Sequence, residues 1–155
     1  MGKVRVSAFS VSLDGFAAGP GQDLQHPFGV GADEVPAWMR KTQMFHEMIG
    51  QPGGSIDNDV AKSSMENLGA WIMGRNMFGP IRGPWQDHSW KGWWGPNPPD
   101  HVPVFVLTHH ARPSLEMEGG TVFHFVTEGI EAALARVKDV AGPNATHVTV
   151  IRRSL

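Results

Sequence analysis

Cysteine is absent from this 155-residue sequence, and its absence excludes several classes of chemistry at once. The chain can form no disulfide, offers no thiolate to a metal ion and has no cysteine nucleophile. A chain without cysteine also suits a reducing compartment, where disulfides rarely form. We therefore expect a cytoplasmic protein.

The sequence also lacks a strong charge of one sign and a long apolar run. The formal net charge is −2, and the 13 lysines and arginines are scattered along the chain. No basic face is predicted that would bind nucleic acid or an anionic membrane. No run approaches the roughly 18 apolar residues of a membrane span, and the first residues lead into a strand pattern instead of a signal peptide. We expect neither a nucleic-acid nor a membrane partner.

Apolar residues make up 41% of the chain, with 6 Trp, 8 Phe and 8 Met, which predicts one packed domain over residues 1–155. Short apolar strands are expected at 4–8, 70–73, 104–107, 122–126 and 148–151. Helical periodicity marks a helix from Pro36 to Ile49, a second capped by Asp57 or Asn58 and closed by Gly69, and a third from Ile130 to Val137. The alternation of strands and helices predicts an α/β fold with a mostly parallel sheet.

Ligands of such sheets bind outside the carboxyl ends of the strands. In this sequence those ends carry polar residues and glycines: Ser12 to Gly15, Gly74-Arg75-Asn76, Thr108-His109-His110, Thr127-Glu128 and Arg152-Arg153.

The motif Gly74-Arg75-Asn76 has the chemistry of a phosphate site. Gly74 lets the backbone approach a ligand closely, Arg75 offers a planar fork of donors, and the amides that begin the next turn bind anions. His109 and His110, beyond the neighbouring strand, add donors to the same pocket. The alternative is an ordinary strand-to-helix turn with a solvated arginine.

Four segments follow one another along the chain: SVSLDGFAAGP, NLGAWIMGRNMFGP, GPWQDHSWKGWWG and PVFVLTHHARPSLEMEGGTVFHFVTEGIEAAL. Taken in this order, they resemble the dihydrofolate reductase-like family that includes the reductase domain of riboflavin biosynthesis. The likeness runs from about residue 3 to Ile151, and the combination in this order is far more specific than any one segment.

This resemblance implies a three-layer α/β/α sandwich, commonly a homodimer, that reduces a small heterocycle such as a pterin or an aminouracil with NADPH. It implies that Arg75, Asn76 and Thr108-His109-His110 hold the adenosine and 2′-phosphate end of the cofactor. Gly74 keeps the strand end open, and Thr127 belongs to the same row of strand ends. Asp14 and Gly15 lie near the nicotinamide and substrate, with Asp14 as the candidate proton donor.

The end of the chain departs from the family pattern. Members typically continue the last strand with glycines, a helix and an antiparallel strand pair, whereas this sequence reads Ile151-Arg152-Arg153-Ser154-Leu155. The resemblance therefore implies a domain that is incomplete at its C-terminal end. Our hypothesis for this difference is a reading-frame slip, because the Gly-Gly-Ala codons GGC GGA GC preceded by one extra C become CGG CGG AGC, which encode Arg-Arg-Ser. A catalytically inactive remnant or nucleotide-binding module is the alternative function.

Other sites have weaker support. Adjacent His109 and His110 would point to opposite faces of a strand, and no helix carries the spacing of a zinc site. The serines lack evident His and Asp partners for hydrolysis. The tryptophans between Gly79 and Pro103 either stack on a heterocycle or simply pin an irregular loop with large apolar side chains. Asp14 before Gly15 is also a common turn pair.

Overall fold

The structure is a computed structural model that describes residues 3–6, 10, 12–54, 57–99, 101–141 and 147–151. The chain divides into two compact units. The first comprises Met1–Ser7 with Asn67–Arg152, and the second comprises Ala8–Glu66 with Arg153–Leu155. No helix among the described residues is long and apolar enough to cross a membrane.

The first unit is built on a six-stranded sheet. Its strands are β1 (Lys3–Val6), β2 (Leu68–Gly74), β3 (Pro103–Leu107), β4 (Leu115–Glu116), β5 (Val122–Val126) and β6 (His147–Ile151). They lie in the order β1-β6-β2-β3-β5-β4. Every neighbouring pair is parallel except β4 with β5. The predicted α/β fold with a mostly parallel sheet is confirmed.

The described residues contain five α-helices. They are α1 (Ala37–Arg40), α2 (Gln43–Met48), α3 (Asn58–Met65), α4 (Arg75–Phe78) and α5 (Ile130–Val140), and a 3-10 turn covers Glu118–Gly120.

Helix α5 covers one face of the sheet, where it packs against β2 and β3. Successive strand residues point to opposite faces, so alternate positions of the central strands form this core. Its buried members are Ala70, Ile72, Phe105, Val126, Ala133 and Val137. Each of the larger side chains in this core stabilises the fold by about 1.5–3 kcal/mol when it is buried.

An aromatic cluster covers the other face of the same strands. Phe78, at the end of α4, is fully buried and meets Phe123 and Phe125 edge-on at centroid distances of 5.1 and 5.2 Å. Trp94 stacks on Phe123 at 6.3 Å. Irregular backbone between Gly79 and Pro99 is thereby attached to the sheet by its large side chains.

The second unit holds α1, α2 and α3. The single helix predicted from Pro36 to Ile49 is wrong, because the chain forms two short helices. Thr42 lies between the two helices. Its backbone N–H donates to the Met39 carbonyl at the end of α1. Its hydroxyl accepts from the Phe45 N–H and so caps the start of α2. The apolar spacing predicted one continuous helix, but the buried Thr42 starts a new helix because threonine is a favoured N-cap residue.

The next helix is also shorter than its periodicity indicated. Helix α3 ends at Met65, and Leu68 and Gly69, assigned above to the helix, already belong to β2. Val60, an apolar residue of this helix, is 62% exposed. Asp57 occupies the cap position but makes no side-chain capping hydrogen bond, and Asn58 instead accepts the Met44 N–H.

Candidate functional site

Three neighbouring strands end in register at one edge of the sheet. Gly74, the last residue of β2, is the register partner of Leu107 in β3, and Leu107 is that of Val126 in β5. Gly74-Arg75, Thr108 and Thr127 therefore follow adjacent strand ends. The sequence predicted this grouping, and the register confirms it.

Gly74 leaves open space at its strand end. A side-chain carbon built on Gly74 would meet no atom of the described residues within 4 Å. The φ of Gly74, −75°, is one that any residue adopts. Neither backbone strain nor packing against the described residues therefore requires a glycine here, which leaves room for a ligand.

Arg75 begins the single turn of α4 and folds back over the loop that follows it. Its Nε and Nη2 both donate to the Ile81 carbonyl, at 3.2 and 2.8 Å. The guanidinium carbon lies 2.9 Å from the centroid of the Trp85 ring. Nη1 is buried and has no hydrogen-bond partner among the described residues. Arg75 is thus partly anchored, with one donor left over.

Burial, followed by the positive charge of nearby Arg112, lowers the pKa of Arg75 to about 10. The side chain remains a cation at neutral pH, but a desolvated one that gains from any anion brought to it. Asn76 lies half-buried in the same turn. Because α4 is only four residues long, few peptide dipoles align there, and the guanidinium supplies most of the positive charge.

Arg112 is a residue that sequence reasoning missed. It is only 9% exposed, and its Nη2 donates to the carbonyls of His88 and Trp90 at 2.7 and 2.8 Å. Its guanidinium lies 4.9 Å from the Trp85 centroid and 5.2 Å from that of Phe125. Burial lowers the pKa of Arg112, while the carboxylate of Asp87 raises it. The available signal was an arginine just past an apolar strand, between Ala111 and Pro113.

The tryptophans between Gly79 and Pro103 hold their irregular loop in place, which is the second of the two interpretations given above. Trp85 donates its indole N–H to the His110 carbonyl at 2.8 Å, and Trp90 donates to the Phe78 carbonyl at 3.0 Å. Trp90 also meets Trp93 edge-on at 5.0 Å. Trp85 and Trp90 nevertheless line, with Arg75, Ile81 and Asp87, a shallow depression that is partly open to solvent.

Thr108 and His110 close a tight turn after β3. The buried Thr108 hydroxyl accepts from the His110 N–H at 3.1 Å, and the Thr108 N–H donates to the Val126 carbonyl at 3.0 Å. His109 is exposed at the tip and His110 is half-buried. Both histidines follow the strand in a bend, so the opposite-face argument made for a strand does not describe them.

Thr127 is exposed after β5 and is engaged locally. Its N–H and hydroxyl both donate to Glu128 Oε2, at 2.8 and 2.9 Å. These two hydrogen bonds lower the pKa of Glu128, which also pairs with Arg136. Thr127 therefore borders the row of strand ends with a carboxylate beside it.

Asp14 and Gly15 lie in the second unit, in a compact turn. Asp14 is exposed, and its Oδ1 accepts the Ser12 hydroxyl at 2.5 Å. Gly15 has a φ of +91°, which favours glycine, and its N–H donates to the Ser12 carbonyl at 2.9 Å. The turn interpretation accounts for both residues.

Two further predictions concern the arginines after the last strand and a possible metal site. Arg152 and Arg153 lie outside the described residues. Within the described part of the chain, no three histidine or acidic side chains converge in a way that could hold a metal ion.

Comparison with known proteins identifies no family for this chain. No protein-family model matches the chain, and no curated protein matches it.

Proposed function

We propose that this chain is an NADPH-dependent reductase of the dihydrofolate reductase-like type, with the α/β/α sandwich of that family. Its substrate would be a small heterocycle of the pterin or aminouracil class. The resemblance of four ordered segments supports the family, and the mostly parallel sheet is compatible with it. The lack of cysteine suits the cytoplasm, and a homodimer is the assembly that the resemblance implies.

The observation that carries the proposal is the open strand end at Gly74 beside the unsatisfied guanidinium of Arg75. Space for a ligand is available there, since a side-chain carbon at Gly74 would meet no atom of the described residues within 4 Å. A buried donor is also available there, since Nη1 of Arg75 has no hydrogen-bond partner in the part of the chain that the structure describes. A cofactor with an anionic end fits both features, because an anion satisfies the donor and neutralises a desolvated charge.

Each residue of the row would have a specific task toward such a cofactor. Arg75 would bind the 2′-phosphate, while Thr108 and His110 would hold the adenosine end through the turn they close. Gly74 would admit the cofactor beside the strand. When bound, NADPH would supply the hydride. Asp14 would be the proton donor that reduction also requires, as the family resemblance implies.

Titration with NADPH, followed by tryptophan fluorescence, tests the proposal, because Trp85 and Trp90 line the depression next to Arg75. We expect saturable quenching at micromolar concentrations. Gly74→Ala and Gly74→Val should weaken binding in order of side-chain size, and Gly74→Ala should leave thermal unfolding unchanged because its Cβ meets no atom of the described residues within 4 Å. A Gly74→Val protein that binds NADPH like the wild type would exclude this strand end from the site.

A second candidate is a nucleotide-binding module without turnover. It is favoured by Asp14, whose carboxylate is exposed and already hydrogen-bonded to Ser12. Panels of pterins and aminouracils separate the two, with loss of the dihydronicotinamide absorbance as the readout. Oxidation that is abolished in Asp14→Asn supports the reductase. Tight NADPH binding with no oxidation by either class supports the module.

A further inference from the structure

A serine and a histidine that are 10 residues apart in the sequence meet beside β5. The hydroxyl oxygen of Ser114 lies 3.1 Å from Nδ1 of His124. Ser114 directly precedes β4, and the antiparallel register of β4 with β5 places Leu115 opposite Phe123, the residue before His124. This pairing brings the two side chains together. The pair was not predicted, because a strand of two residues leaves no periodicity in the sequence.

His124 has the position and the charge state of a general base. Its ring stacks on Phe105 at a centroid distance of 4.9 Å and an interplanar angle of 27°, which holds the imidazole beside Ser114. Burial, and then the positive charge of Arg136, lower the pKa of His124 below its ordinary 6.5. The ring is therefore mostly uncharged at neutral pH, and with its proton on Nε2 it accepts at Nδ1. The separation from Ser114 is within the reach of proton transfer.

The surroundings of this pair limit which substrates it can attack. Ser114 is exposed, so a small reagent can reach its hydroxyl. The charged group that acts on His124 is Arg136 of α5, which itself pairs with Glu128. Within the described ranges, no ion pair joins a carboxylate to His124. A serine–histidine pair without an orienting carboxylate reacts far more slowly than a complete triad, so the substrate must carry a good leaving group.

We infer that Ser114 is a nucleophile, activated by His124, that accepts the acyl group of an activated ester. The Ser114 hydroxyl oxygen attacks the ester carbonyl carbon while its proton passes to Nδ1 of His124. A bond forms between the serine oxygen and that carbon, and the bond from the carbon to the leaving oxygen breaks. The imidazolium then gives its proton to the leaving oxygen. The products are an acyl-serine and an alcohol, and the step needs neither a cofactor nor the proposed reductase site.

Reaction with p-nitrophenyl acetate, followed by mass spectrometry of the peptides over time, tests the site directly. The wild type should acquire an acetyl group on Ser114, and Ser114→Ala should lose the acetyl group from that peptide. His124→Gln keeps the serine and should acylate it about 100-fold more slowly, at the low end of what general-base catalysis contributes. Ser63→Ala is the control, because it removes another exposed hydroxyl, which donates to the Val60 carbonyl. It should leave the acylation of Ser114 unchanged.

The pH profile of acylation distinguishes a general base from a structural histidine. The rate at Ser114 should rise as His124 loses its proton, with a midpoint below pH 6.5, and should be level above neutral pH. Lysine acetylation instead keeps rising into the alkaline range, because the amine must lose its proton. Arg136→Gln removes the cation that lowers the pKa of His124. This variant should move the midpoint at Ser114 to higher pH, and it leaves both reacting side chains in place.

Three results would overturn the inference. The first is equal acylation of Ser114 in the wild type and in a folded His124→Gln protein, as judged by circular dichroism. The second is a pH midpoint that Arg136→Gln leaves unchanged. The third is a wild type whose lysines are acetylated while Ser114 is not. Each result concerns Ser114 alone, so the proposed reductase is unaffected by it, and Ser114→Ala should bind NADPH like the wild type.

Discussion

Arg75 combines a structural and a binding task in one side chain. One edge of its guanidinium holds the Ile81 carbonyl and so fixes the loop after α4. The other terminal nitrogen is buried and finds no partner within the described ranges of the chain. An arginine required only for the turn would have its polar atoms satisfied or exposed to water. The unsatisfied nitrogen is therefore the feature that points to a ligand.

Replacing Arg75 by alanine should weaken NADPH far more than NADH. The lost contact is a charge-assisted hydrogen bond of about 1.5–3 kcal/mol, which corresponds to a loss of roughly 10- to 100-fold. NADH has no 2′-phosphate to lose. Titration of both cofactors measures the ratio. Equal losses for the two would remove Arg75 from the 2′-phosphate site and leave it with the turn alone.

His124 gives the protein a pH dependence that can be assigned to one residue. It stacks on Phe105 at 4.9 Å, and its Nδ1 lies 3.1 Å from the Ser114 hydroxyl. Burial, and then the positive charge of Arg136, lower the pKa of His124 below its ordinary 6.5. The folded protein thus binds fewer protons than the unfolded chain just below neutral pH, and stability must fall as the pH drops.

We expect thermal unfolding of the wild type to shift to lower temperature between pH 7.5 and 5.5, and His124→Gln to shift less. The carboxylates with lowered pKa values, Asp23, Asp87 and Glu128, titrate below this window from ordinary values of 3.8 to 4.5. Melting curves of both proteins across the window provide the measurement. A His124→Gln protein with the full wild-type acid shift would assign the effect to other histidines.

Among the elements, strands were predicted better than helices. Continuous apolar runs marked β3 and β5 within one residue of their bounds, because strands buried on both faces need apolar residues throughout. The two residues of β4 carried no periodicity and were missed. Helix ends depended on local competition, as where Thr42 divides α1 from α2, and apolar spacing does not reveal which polar group captures a backbone amide.

The candidate site was also predicted only in part. Parallel strand ends were predicted to gather Arg75, Thr108 and Thr127, because topology alone brings them to one edge. Arg112 was not predicted. Its place depends on how the loop from Trp85 to Trp90 folds back onto the sheet, which rests on long-range packing of aromatic rings. No short motif encodes that arrangement.

The capping role of Thr42 leads to a prediction for the second unit. Its side chain is fully buried, donates to the Met39 carbonyl at 2.7 Å and accepts from Phe45 N–H at 3.1 Å. Thr42→Ala loses both bonds and should lower the free energy of unfolding by about 1–2 kcal/mol. Urea titration followed by circular dichroism provides the value. Ser63→Ala, on the exposed side of α3, serves as the control, and equal effects of the two would contradict the capping role.

At the scale of the whole molecule, β1 lies at one end of the strand order, where it pairs with β6. Val4 and Val6 on this strand are 48% and 65% exposed. Lys3 and Arg5 alternate with them, and such charges commonly protect an edge from pairing. The strand thus combines two exposed apolar side chains with two cationic residues.

The exposed valines favour association of two chains through β1, whereas the two cations oppose it, so we expect association to increase with salt concentration. Two β1 strands paired across chains would bury Val4 and Val6, while Lys3 and Arg5 would repel their counterparts until ions screen them. We expect sedimentation velocity to show a larger species that increases with protein and salt concentration. Val6→Lys should abolish it by adding charge at the edge, and Val140→Lys, at a similarly exposed position of α5, should not. A wild type that remains monomeric at high salt would show that Lys3 and Arg5 protect the edge by more than charge. Equal effects of the two substitutions would place the contact elsewhere than β1.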